Sequence, residues 1–333
     1  MNWKSIVEGR RLAAAGPVFP TLLVWTLAFI PDAGHAGINP IERSISDGLA
    51  WIDRHPASLV DGGPLEIIEE MIAFHTLLRN DQDPERRAHH RQRMQQRITQ
   101  LSRLLTVPFV RHESREAPGV SVITYVIAAH LMERYGHGSA PLRQIILGIL
   151  ARHPTEYLDM PVYRYWTIAY LQRLGVLQGD PAASFDRVSH TAMIAASRNP
   201  AGLESEDPGQ RLFDWYAVTH DLLALVDFDS YLGARVRSRH ARTIDAILAA
   251  SLAQSLRDRQ TDILAELLIC RELLGLARTK SVGDAVAFLI ARQQPDGSWG
   301  VTKPERQSNV RHGVLTAVSA LVVYQSRRPH QND

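Results

Sequence analysis

The chain alternates two kinds of helical segment, and this alternation limits its fold more than any other feature of the sequence. From residue 40 onward, apolar side chains recur at three and four rather than at two, with Pro, Gly and Asp clusters between the periodic stretches. Segments of the first kind are amphipathic. Met94, Ile98, Leu101 and Leu105 form one apolar stripe, while Arg91, Arg93, Arg97 and Arg103 lie mostly off it, as in a helix with one face in solvent. Segments of the second kind, such as 120–131, 212–226 and 314–323, are apolar nearly all round and must be covered on every side. There is almost no strand signal.

The segments pair in order. Amphipathic helices are predicted over 41–55, 85–105, 141–152, 181–197, 231–256 and 281–293. Each precedes a buried helix, over 64–78, 119–134, 161–174, 210–226, 261–276 and 309–324. The buried helices start roughly every 50 residues, the period of a repeat architecture. Six hairpins with the apolar helices inside can close into an all-α (α/α)6 toroid, in which no repeat keeps an uncovered face. An open solenoid would need polar capping repeats, whereas the last buried helix, with Val314, Leu315, Val318, Leu321 and Val322, is among the most apolar. Local signals agree: Pro64, Pro141, Pro161 and Pro181 suit first turns, and Gly136 and Gly175 follow helix ends. Ser281 and Asp284 predict a capped start for the last outer helix.

Lys4, Arg10 and Arg11 precede an apolar run over 12–30, and Gly34 and Ala36 offer a small-residue cleavage site before Gly37. Residues 1–36 therefore read as a signal peptide, or, uncleaved, as an N-terminal membrane anchor, and the protein is expected to be periplasmic or extracellular. Removing that segment from 333 residues leaves about 300, which six hairpins of about 50 consume, so residues 37–330 form a single domain. The net charge of +2 gives no footprint for nucleic acid, and membrane contact is expected only through the N-terminal segment. The single cysteine, Cys270, excludes an intramolecular disulfide framework and a multi-thiolate zinc site.

The stretch 285–321, AVAFLIARQQPDGSWGVTKPERQSNVRHGVLTAVSAL, resembles the repeat of squalene-hopene cyclases and protein prenyltransferases. In those terpenoid-cyclase-like proteins an outer helix ends in Gln, a DGSW-type turn follows and a small-residue inner helix begins. Gln293 or Gln294, Asp296, Gly297, Ser298, Trp299 and Gly300 match that pattern. The resemblance implies a toroid and, as one possible activity, terpenoid cyclisation or prenyl transfer. The acidic cyclase motif is incomplete at Asp227, Phe228, Asp229 and Ser230. The prenyltransferase comparison implies a divalent metal such as zinc at Asp262 and His312, which stand at inner-helix starts, although Cys270 lies about two turns deeper along its helix.

A closed ring would collect polar groups at the amino ends of its inner helices. Several carboxylates on nearly all-apolar helices must be paired structurally or be functional, and acids there also complement the helix dipole. The catalytic candidates are Asp214, His220, Asp221, Asp262, Glu266 and His312. Asp262 and Glu266 are four apart and share a helix face; Asp214 and Asp221 are seven apart on another. His220 beside Asp221 is suited to a general base or metal ligand. Tyr163, Arg164, Trp166, Trp215 and Glu69 are the candidate substrate-binding residues, the aromatics either walling a pocket for sugar rings or isoprenoid chains or filling the core. The basic run from Arg86 to Arg97 reads as a solvated outer face. Three functions fit: carboxylate and histidine chemistry on a glycan or lipid-linked substrate at the toroid mouth, a cyclase-like or prenyl-transfer enzyme, and a non-catalytic binding or scaffold protein.

Overall fold

In a computed structural model, the structure describes residues 39–57, 63–105, 118–159, 164–179, 215–216, 218–220, 222–223, 230–299 and 307–327. The chain is all-helical: the described residues form ten α-helices and one 3-10 turn, with no strand among them. The helices are α1 (Pro40–Arg54), α2 (Gly63–Asn80), α3 (Pro84–Leu104), α4 (Pro118–Arg134) and α5 (Ala140–Leu150). They continue with α6 (Arg164–Arg173), α7 (Ser230–Asp258), α8 (Thr261–Leu274), α9 (Lys280–Arg292) and α10 (Gln307–Ser326). The described parts of residues 215–223 are helical as well. Nine of the predicted segments coincide with α1 to α5 and α7 to α10 within a few residues, and α6 begins a little after its predicted start. The segment predicted over 181–197 and the Asp227 motif lie outside the described residues, as do residues 1–36.

Proline placement explains several of the starts. Pro40 and Pro84 open α1 and α3, where a missing N–H costs nothing, and the preceding Asn39 and Asp83 side chains accept hydrogen bonds from first-turn amides. The predicted cap at Ser281 is not formed. α9 begins at Lys280 after Thr279 with no side-chain cap, and Asp284 instead accepts from Lys280 Nζ at 2.8 Å, because one residue of shift puts the two a helical turn apart. Gly136 and Gly175 adopt φ of 79° and 71° past the ends of α4 and α6, the left-handed geometry that ends a helix at low cost for glycine.

Two layers follow from burial. Nearly every side chain of α8 and most of those in α2, α4 and the described part of α10 are buried, whereas α1, α3, α5 and α9 bury one stripe each. The buried helices touch in sequence, α6 on α4, α4 on α2, α2 on α10 and α10 on α8. Thr219 and Tyr216 donate hydrogen bonds to Glu266 and Asp262 of α8, which brings the described part of this helical stretch alongside α8. The first and last described hairpins also meet, with α10 packed on both α1 and α2, and α9 on α1.

The Trp turn sits at that seam. Trp299 is 5% exposed and donates its indole N–H to Leu289 O at 2.7 Å. Its ring lies so close over Gly48 of α1 that a methyl group there would collide with both Trp299 and Val318. Gly297 has φ of 91° and passes tightly over the Asp47 carbonyl, so both its conformation and its contact exclude a side chain.

The seam is also ionic. Glu70 of α2 is fully buried and accepts from Arg97 of α3 and, at 2.7 Å, from Arg311 of α10, while Arg311 also reaches Pro56 O at 2.9 Å. Arg97 thus belongs to the interior, contrary to the solvated face read for this run, and so does His90, whose Nε2 lies 3.0 Å from Asp81. A stripe drawn on apolar residues does not reveal an arginine buried by its partner. Burial alone would raise Asp81, but hydrogen bonds from His90 and Arg86 hold its carboxyl below the usual range. Because Glu70 balances two guanidinium groups, removing its charge takes the carboxylate from Arg97 and leaves Arg311 with only Glu66 at 3.7 Å in the interior. Glu70→Gln is expected to destabilise the protein by about 3–5 kcal/mol in urea unfolding, whereas an exposed control such as Glu85→Gln should stay within about 0.5 kcal/mol.

Candidate functional site

The helices α2, α4, α8 and α10, with His220 and Leu223, enclose a cavity of about 90 Å³. Its walls are mostly aliphatic, from Leu65, Ile68 and Ile72 on α2, Ile123 and Ile127 on α4, and Ile269 and Leu315 on α8 and α10, with hydroxyls of Thr76, Thr124, Thr316 and Ser319 among them. These side chains face inward because helices buried on all sides carry apolar residues toward the centre as well as toward the outer layer. Glu69, Glu266, His220 and His312 also line it, and they gather together at one end.

That end is built around His312. Its Nε2 lies 3.3 Å from Asp262 Oδ1 and 3.6 Å from Glu266 Oε1, and its Nδ1 lies 3.8 Å from Glu69 Oε2. His220 Nδ1 is 3.4 Å from the other Glu266 oxygen and 2.8 Å from Tyr216 O. Hydroxyls occupy further acceptor positions: Tyr216 and Thr316 donate to Asp262, the latter at 3.0 Å, and Thr219 donates to Glu266. Asp262 sits in the first turn of α8, where the helix dipole favours a negative charge. The cluster reaches solvent on the Asp262 side, with 26% of that side chain exposed against 3% for Glu266.

The electrostatics follow from this arrangement. Burial opposes the charged form of His312, yet the Asp262 charge, with hydrogen bonding to Asp262 and Glu266, raises its pKa well above the ordinary histidine value. Burial likewise acts to raise Asp262, but the charge and hydrogen bond of His312, with the Tyr216 hydroxyl, hold it below the usual carboxylate range. Burial pushes the Tyr216 phenol well up, and the Asp262 and Glu266 charges push it further, so it remains a donor. The result is an imidazolium held between carboxylates.

Of the residues expected from the sequence, Asp262, Glu266, His312, His220 and Glu69 converge. Asp214, Asp221 and Tyr163, and the side chain of Arg164, lie outside the described residues. Trp166 and Trp215 are 2% and 1% exposed and do not line the cavity; Trp166 stacks on Tyr170 with ring centroids 5.5 Å apart, beside His130. Burial there lowers the His130 pKa to about 4, with the charge of His75 as the next cause. Cys270 is buried and lies 3.5 Å from Thr219 O, where it supports the helical residues carrying His220. Thr219 and Thr316 escape sequence reasoning, since hydroxyls on helices carry no periodic signal; the pairing of Thr316 with His312 at a spacing of four was the only available sign.

Asp262, Glu266 and His312 offer three ligand atoms within 4.8 Å of one another. Ligands on opposite sides of a zinc ion at about 2.1 Å stand no more than about 4.2 Å apart, so the set would have to draw in to hold such an ion.

A helical protein with an aliphatic cavity and a charged cluster at one end is thus defined by its interior. The chain belongs to the family described as a domain of unknown function (DUF6895), whose model matches residues 45–314, from within α1 to just past His312. No curated protein and no solved structure matches the chain.

The charge on His312 is directly measurable. In NMR titrations its ring is expected to remain protonated through neutral pH, with a midpoint above the ordinary value of about 6.5. A raised pKa contributes stability below the unfolded value and loses it as pH rises through the folded one. The stability difference between the protein and His312→Gln should therefore shrink on going from neutral to alkaline pH. A difference that grows with pH would mean that the ring is neutral in the folded state.

Proposed function

We propose that the chain is an exported α/α toroid that binds a lipid-linked or other aliphatic molecule in its central cavity and carries out proton-transfer chemistry on it. The observation that carries this is the placing of one imidazolium between carboxylates from α2 and α8, at the charged end of a mostly aliphatic cavity. Closure of the ring is supported by the run of contacts α6, α4, α2, α10, α8 and by the meeting of the first and last hairpins. Export rests on the N-terminal sequence. No helix among the described residues is long and apolar enough to cross a membrane.

His312 is the general acid, with Asp262 and Glu266 orienting it and Glu69 facing its other nitrogen. His220, against Glu266 and the Tyr216 carbonyl, is the second proton carrier. The aliphatic lining favours a hydrocarbon chain over a glycan: among the described lining residues there is no Phe, Tyr or Trp on which a sugar ring could stack. A divalent cation held by Asp262, Glu266 and His312 is the second candidate; their ligand atoms lie within 4.8 Å of one another and would draw in around it. Metal analysis of protein purified without chelator checks it, and a stoichiometry well below one removes it.

Native mass spectrometry of the full chain, incubated in parallel with a lipid extract and with a set of oligosaccharides, tests the main proposal. An aliphatic molecule is expected to be retained, and no sugar. Leu315→Trp, which fills the cavity, should abolish retention while the circular dichroism stays helical. Retention of sugars, or of nothing, contradicts the proposal.

A further inference from the structure

We propose that the cavity is a size filter: it takes a short aliphatic group of about four carbons, and Ala73 of α2 sets that limit. This rests on the aliphatic cavity described above and narrows what the cavity accepts to the short aliphatic part, or the chain end, of its ligand.

The first argument is volume. An apolar cavity of about 150 Å³ holds a benzene molecule, or about 25 Å³ per carbon. At that rate the 90 Å³ between α2, α4, α8 and α10 holds about four carbons at most. A longer chain would have to push the walls apart, and close-packed interiors resist even one added methylene.

The cavity also closes at depth. Thr76, Ile127 and Ile269 are the last lining residues of α2, α4 and α8, and all are buried. Asn80, Leu131 and Leu273, four positions further on, share those helix faces and are buried too, but they do not line the cavity. Polar contacts fix this floor. Asn80 Nδ2 donates to Thr76 O at 2.8 Å, and His75 Nδ1 lies 2.8 Å from the Tyr135 hydroxyl, which joins α2 to the residue after α4. Leu65 and Glu69 of α2 and His312 and Thr316 of α10, toward the amino ends, are only half-buried, which marks the way in.

Ala73 stands between the entrance and the floor, four residues after Glu69 and three before Thr76 on the lining stripe of α2. Of the described lining residues it alone has a side chain that ends at Cβ, so it leaves open the space that leucine and isoleucine fill elsewhere on the wall. Valine at this position adds two carbons, about 50 Å³ on the same scale, and leaves room for about two.

Titration of the full-length protein, methyl-labelled at isoleucine, with the 1-alkanols from ethanol to octanol tests this, the NMR signals of Ile127 and Ile269 reporting entry. Affinity is expected to rise about four-fold per carbon as far as butanol and then to level off. Ala73→Val should move the break to about two carbons and leave the melting temperature unchanged or higher, because it fills a void. Leu315→Ala, which takes three carbons from the wall, should move the break to about seven. A steady rise through octanol, or a break that stays put in either variant, overturns the inference and leaves the aliphatic cavity standing. A clear fall in the melting temperature of Ala73→Val means that no space lies beside Ala73 and overturns its role. If no alcohol perturbs Ile127 or Ile269, the size limit and the aliphatic cavity both fall.

Discussion

The structure depends on the buried carboxylate of Glu70. It joins Arg97 of α3 and Arg311 of α10 to α2, and so ties the last described helix of the chain to the second. Arg311 also reaches the Pro56 carbonyl, while Ala57 N donates to the same Glu70 at 3.1 Å, so the turn leading into α2 is fixed by the same group. Ions buried in this way add little net stability over a well-packed apolar substitute, but they tolerate only one arrangement of the helices that carry them. Apolar packing alone would let α10 slide or turn against α2. The shared ion pair sets its register, and the neighbouring residues His312 and Glu69 then face each other.

The rest of the polar end follows from that register. With α10 placed, Thr316 meets Asp262 one turn beyond His312, and α8 presents Asp262 and Glu266 four residues apart on the side toward α10. The helical residues Tyr216 and Thr219 are bound to the same two carboxylates, so one cluster holds three parts of the fold as well as forming the site. Asp262, held below the usual carboxylate range by His312 and the Tyr216 hydroxyl, in turn keeps the imidazolium charged. Structural and chemical roles therefore coincide in these residues.

Much of this was legible in the sequence, and the physical reasons are specific. Helix positions were visible because α1, α3, α5 and α9 carry one apolar stripe, and the buried helices had so few polar residues that several of them stood out, although Glu70 and Glu272 did not. Asp262, Glu266 and His312 were found in that way. Arg97 was misjudged because a buried arginine and an exposed one interrupt a stripe alike; only the distant Glu70 distinguishes them. The aromatics near the inner-helix starts were legible as buried but not as to which side they face: Trp166 turned to Tyr170 and His130 and left the cavity to leucine and isoleucine. Ala73 could not be singled out, since the space beside a small residue is defined by what surrounds it.

The central claim is that the groups joined across the seam form the polar end of a ligand cavity rather than an internal ionic brace. A crystal structure of the full chain grown with an aliphatic ligand tests this most directly. The account predicts density for the ligand between α2, α4, α8 and α10, with its polar group within hydrogen-bonding distance of Glu69, Glu266 or His312. A ligand seated elsewhere, or a filled interior in which His312 and its carboxylates are closed off from any bound molecule, would contradict it.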